Sequence, residues 1–136
     1  MSHILLVTIL GALAATIAVL HVVALAFYFY WTLWWFDVLQ HFLAGFWIVL
    51  LTFWIVFRLR PSFISPFINT PATFLILALI GAFAVGLGWE IFEYTIQVYF
   101  AENYVFDTIS DLAMDVIGAF AGYIYIMNSR FKLVFS

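Results

Sequence analysis

The sequence contains no cysteine, which excludes disulfides, thiolate metal sites and cysteine nucleophiles together. Charge is nearly as scarce. Asp, Glu, Lys and Arg make up 8% of the residues and only four are basic, so there is no cationic surface to track a nucleic-acid backbone and no such partner is expected. No lysine lies inside an apolar run, which removes Schiff-base chemistry. There is no GxSxG motif, no serine beside a histidine within a run, and no glycine loop with a phosphate-binding lysine. The three prolines, Pro61, Pro66 and Pro71, are confined to one short stretch, so the rest of the chain is free to be helical.

What is present is apolar. Hydrophobic residues account for 68% of the chain and aromatics for 22%, a composition that dissolves in lipid rather than water. Apolar runs at about 4–30, 37–57, 72–100 and 111–128 are each long enough to cross a bilayer as helix. They predict an all-α fold, a four-helix transmembrane bundle forming a single integral membrane domain over residues 1–136. The first run is longer than the core of a signal peptide and lacks a basic start, so it is expected to remain a span. The aromatic cluster Trp31 to Phe36 suits the headgroup level, and RLRPSFISPFINTP reads as an irregular or interfacial loop.

The charges sort by side. Arg58, Arg60, Arg130 and Lys132 all follow the second and fourth runs, which the positive-inside rule places in the cytoplasm, with both termini there too. The acids Asp37, Glu90, Glu93, Glu102, Asp107, Asp111 and Asp115 then fall at or toward the outer face. Helical spacing pairs Asp37 with His41, aligns Glu90, Glu93 and Gln97, and pairs Asp111 with Asp115. Each polar set continues inward as small residues: Ala14 and Ala18 below His21, Ala44 and Gly45 below His41, Ala82 and Gly86 below Glu90, Gly118 and Gly122 below Asp115. Such stripes let membrane helices approach closely, so the bundle is expected to close tightly inside and to hold a polar pocket outside.

Ionisable residues in hydrocarbon cost several kcal/mol unless they are paired, hydrated, neutralised or metal-bound, so these are the candidate site. Some have ordinary explanations. Asp37 can cap a helix, Thr108-x-x-Asp111 fits a capping box, Glu102 and Asp107 read as solvated loop, and Glu93 can snorkel. His21 reads as a hydrogen-bonded core residue. Three constellations remain open. One is a divalent-cation site built from His41, Glu90, Glu93, Asp111, Asp115 and Asp37, a donor set that suits Mn, Fe, Zn or Ca more than copper. Another is a proton or cation relay, and the third is a haem held by His21 and His41, which the nearby acids would crowd. No basic residue lies on the outer side. An enzyme acting there on a lipid-linked substrate would therefore be a metal-dependent hydrolase, with the ion supplying the positive charge. A transporter and a non-catalytic accessory subunit are the rivals. Membrane lipids, a lipid-linked or envelope precursor and a second copy of the chain are the expected partners. The sharpest expectation is that His41, Glu90 and Asp115, from three different helices, converge.

FDVLQHFLAGF (Phe36 to Phe46), WEIFEYTIQ (Trp89 to Gln97) and DTISDLAMDVIGAFAG (Asp107 to Gly122), taken in order, resemble the small membrane proteins of the VanZ-like and YjdF-like group. The matching positions are Asp37, His41, Glu90, Glu93, Asp111, Asp115, Gly118 and Gly122. Many VanZ-like members have Asn where Asp115 stands and a basic residue near Asp107, so this chain is more similar to the YjdF-like branch. The resemblance implies a prokaryotic inner membrane and this residue set, with one branch tied to glycopeptide resistance at the cell envelope. It leaves the reaction open.

Overall fold

The computed structural model describes residues 3–59, 67–68, 70–96 and 103–129. Arg60, Gln97, Glu102, Arg130 and Lys132 lie outside the described residues, as do Pro61 and Pro66. Five helices and one π-helical turn account for nearly all of the described chain: α1 (His3–Ala26), α2 (Phe29–Thr32), α3 (Trp35–Trp54) running into the turn Ile55–Leu59, α4 (Pro71–Ile96) and α5 (Tyr104–Asn128). Four of them, over Ile4–Ala26, Trp35–Phe57, Pro71–Ile96 and Tyr104–Asn128, are long and apolar enough to cross a membrane. Among the described residues there is no β-strand.

The first span is shorter than the apolar run that encodes it. Tyr28 adopts the left-handed conformation (φ 61°), where a β-carbon is disfavoured, and this ends α1 before the run is finished. The chain then folds back through α2, bringing Tyr30 against Ala24 and Phe36. The fourth span begins earlier than expected. Asn103 caps α5, its side chain accepting from the Phe106 N–H at 3.3 Å, so Asp107 lies in the first turn of a helix and not in a loop. Asp37 likewise sits inside the first turn of α3, where its charge meets the helix dipole, and makes no capping hydrogen bond.

Lipid supplies no hydrophobic drive between helices, so close packing and hydrogen bonds must hold the bundle together. α3 and α5 form its most extensive interface. A β-carbon added at Gly45 would overlap the Asp115 carbonyl, and one at Gly118 would overlap the Phe42 carbonyl. The two backbones therefore touch through reciprocal glycines. Gly122, one turn deeper, is looser: a β-carbon there would stand 3.0 Å from the Phe46 carbonyl oxygen. Below the glycines the interior is apolar, with Val49, Leu50, Phe74 and Ile126 fully enclosed. α1 packs on α3, tied by the Trp47 indole N–H donating to the Leu10 carbonyl at 2.9 Å, and scarcely touches α4.

Candidate functional site

Above the glycine contact, α3, α4 and α5 turn their ionisable residues inward. His41, Glu90, Glu93, Asp111 and Asp115 are all buried, Asp115 to 1% exposure and Asp111 to 2%. The imidazole of His41 is the hub. Its Nδ1 pairs with Asp115 Oδ2 at 3.2 Å, which directs Nε2 to the opposite side. There it faces Asp37 Oδ1 at 3.8 Å, Glu90 Oε1 at 3.9 Å and Asp111 Oδ2 at 4.0 Å. One ligand atom each from Asp37, His41 and Asp111 lie within 4.8 Å of one another, so the group has the reach to hold a metal ion.

The supporting contacts fix these side chains in place. Gly86 on α4 makes room for the Asp115 carboxylate, since a β-carbon there would overlap Oδ2. Thr108 does not cap a helix. Its hydroxyl donates to Glu90 Oε2 at 2.7 Å, while Tyr104 donates to the Glu90 carbonyl at 2.9 Å. Glu90 is thus clamped through one oxygen, and its other, Oε1, is buried with no hydrogen-bond partner among the described residues. Asp111 Oδ1 is in the same condition. Orphaned buried acceptors are costly, roughly 1–3 kcal/mol each, and call for an explanation.

The expected convergence of His41, Glu90 and Asp115 is what the structure shows, with Asp37 and Asp111 joining them. Asp115 differs from the rest because it serves the far side of the imidazole. Glu93 is set apart. It accepts from the Trp89 indole N–H at 2.8 Å and faces a cavity of about 390 Å³ between α1, α3 and α4.

His21 is a hydrogen-bonded residue of the bundle, as its surroundings in the sequence suggested. Burial pushes the Tyr30 phenol up to about 12, so it stays a donor, and it bonds His21 Nδ1 at 2.6 Å while accepting from Gln40 Nε2 at 3.4 Å. With His21 committed to Tyr30 and His41 Nε2 facing three carboxylates, a haem between them is disfavoured on charge. Sequence reasoning missed Tyr30, Gln40, Thr108, Tyr104 and Trp89. Only Thr108 carried a signal, and it was the wrong one, because a capping-box spacing and a buried hydroxyl donor look alike in one dimension.

A bundle of four candidate spans with a buried His, Asp and Glu cluster in its core defines a polytopic membrane protein with an intramembrane ionisable site. The chain belongs to the family described as "Predicted membrane protein (DUF2238)", whose model matches residues 2–130. No curated protein and no solved structure matches it.

Proposed function

We propose that this protein binds a divalent cation between α3, α4 and α5, with His41 Nε2, Asp37, Glu90 and Asp111 as ligands and Asp115 orienting the imidazole. The observation that carries this reading is the pair of orphaned oxygens, Glu90 Oε1 and Asp111 Oδ1, on two carboxyl groups that face His41 Nε2 through Glu90 Oε1 and Asp111 Oδ2. Two like charges about 4 Å apart repel by about 4 kcal/mol at an effective dielectric near 20, so a single imidazolium cannot compensate this many carboxylates. A dication can. Ligands about 2.1 Å from a first-row ion stand roughly 3.0–3.4 Å from one another, so the carboxylate oxygens, now 3.8–4.0 Å from Nε2, must draw in by about 0.4–1.0 Å when the ion enters. A carboxylate behind a ligating histidine is the usual second partner of such an imidazole. Nitrogen with three carboxylates suits Mn, Fe, Zn or Ca more than copper.

Metal analysis of the purified protein is expected to find one of these ions in stoichiometric amount. Protein that is metal-free as isolated, and that takes up none of them on titration, would overturn the reading. A transporter is disfavoured by a second observation. The core between the cluster and the Arg58 end of α3 is enclosed by Val49, Leu50, Phe53, Phe74 and Ile126, with no ionisable side chain among the described residues there. If the site is catalytic, the chemistry that fits it is metal-dependent hydrolysis at the outer leaflet.

The likeness to the VanZ-like and YjdF-like group supports a prokaryotic inner membrane, and the basic residues after the second and fourth spans support cytoplasmic termini. The absence of native cysteine makes this orientation easy to test with single-cysteine variants in whole cells. Val105→Cys, exposed in the first turn of α5, is expected to react with a membrane-impermeant maleimide, and Phe67→Cys, exposed before α4, is not. The reverse pattern would turn the site toward the cytoplasm.

A further inference from the structure

The cavity between α1, α3 and α4 has a polarity gradient along its length. Its deep end is formed by Ala14, Ile48 and Val85, and its outer end by Tyr30, Asp37 and Glu93. At about 1.5 Å per residue, the stretch of α3 from Asp37 to Ile48 makes it about 16 Å long, close to the depth of one leaflet of a bilayer core about 30 Å thick. Because α1 scarcely touches α4, the lips of the slot look into lipid, and Ala18, Val85 and Trp89 on those lips are exposed. A slot that is apolar at mid-membrane and polar at the interface has the orientation of a lipid in that leaflet.

The head end is selective by its inventory of donors and charges. Most of the N–H groups that line it are engaged by protein acceptors: Trp47 by the Leu10 carbonyl, Trp89 by Glu93, and Gln40 by the Ile17 carbonyl and Tyr30, while His21, bonded to Tyr30 through Nδ1, keeps its Nε2–H. No Lys or Arg lines it among the described residues. What it presents outward is carboxylate, from Glu93 and Asp37, beside the rings of Tyr30 and Trp89. Anionic oxygen next to aromatic faces is the environment that recognises ammonium groups. An anionic headgroup would lie against the carboxyl oxygens of Glu93 and Asp37 with no Lys or Arg among the described lining residues to receive it.

We infer that this slot binds a membrane lipid bearing an ammonium headgroup, with one chain lying against α1 and the ammonium at Glu93. The contact that carries the inference is made at Glu93, which lies outside the proposed ligand set.

The test uses full-length protein in mild detergent, titrated separately with phosphatidylethanolamine and phosphatidylglycerol of identical chains and followed by native mass spectrometry. The ethanolamine lipid is expected to be retained about tenfold better, the worth of one charge-assisted contact, and Glu93→Gln is expected to erase that preference. Ala18 is exposed on the lip, so Ala18→Phe fills the slot without disturbing helix packing, and it should remove retention of both lipids while leaving metal content unchanged. Equal or better retention of phosphatidylglycerol would overturn the headgroup assignment. Undiminished retention in Ala18→Phe would overturn the slot. A wild-type protein that holds the lipid but no metal would sink the cation reading alone.

Discussion

Gly118→Ala is expected to destabilise the bundle by about 1–3 kcal/mol, the range for overpacking a closed interface, even though alanine is the better helix former. The added methyl has nowhere to go. It would coincide with the Phe42 carbonyl, a backbone atom that cannot rotate away, so α5 must translate off α3. Gly45→Ala meets the Asp115 carbonyl in the same way. Gly11→Ala and Gly88→Ala are the controls, since a β-carbon at either position finds nothing within 4 Å, and both should leave stability unchanged or slightly raised. Thermal unfolding in detergent, read by tryptophan fluorescence, compares the four. Equal behaviour of Gly118→Ala and Gly88→Ala would mean that the helices are not held by this contact.

The same contact sets the geometry of the site. Phe42 follows His41 directly, and Asp115 is the residue whose carbonyl Gly45 accommodates, so the point where the backbones touch adjoins the 3.2 Å bond between His41 and Asp115. Moving α5 outward by a methyl's width lengthens that bond beyond hydrogen-bonding range. Gly118→Ala should therefore weaken binding at the proposed cation site as well as lower stability, although it lies about two turns along α5 from Asp111.

This arrangement was partly legible in the sequence. The four spans followed from run length, and the inward faces from acids and small residues repeating at helical spacing, because lipid penalises any other placement of either. The carboxylates sharing His41 could be grouped for that reason. Their division of labour could not be read. Which side of the imidazole Asp115 approaches is fixed by the crossing of α3 and α5 at Gly45 and Gly118. Glu93, only a turn from Glu90, is turned by α4 toward Trp89 and the slot and not toward His41. The end of α1 was invisible for another reason. Tyr28 has no sequence mark of a left-handed residue, and the fold-back that places Tyr30 beside His21 is imposed by tertiary packing.

The proposed division of labour at His41 makes the sharpest prediction about the proposed cation site. His41→Ala removes the central ligand and leaves the carboxylates to repel one another, so stoichiometric metal should be lost entirely. Asp111→Asn and Glu90→Gln each remove a ligand charge and should weaken binding severely. Asp115→Asn should behave differently, lowering affinity by about 10–100-fold without abolishing it, the usual cost of losing the partner behind a ligating histidine. In the asparagine variant the amide oxygen can still accept from Nδ1, whereas Asp115→Ala leaves the imidazole free to turn, so the series should run Asp, Asn, Ala in falling affinity. Protons compete with the ion for His41 and the carboxylates, so wild-type binding should weaken as pH falls and recover as it rises. Isothermal titration with Mn and Zn across this series and across pH provides the readout. If Asp115→Asn abolishes binding as completely as His41→Ala, Asp115 is itself a ligand and the imidazole must be turned over. If none of the variants changes metal content, the ion is held elsewhere.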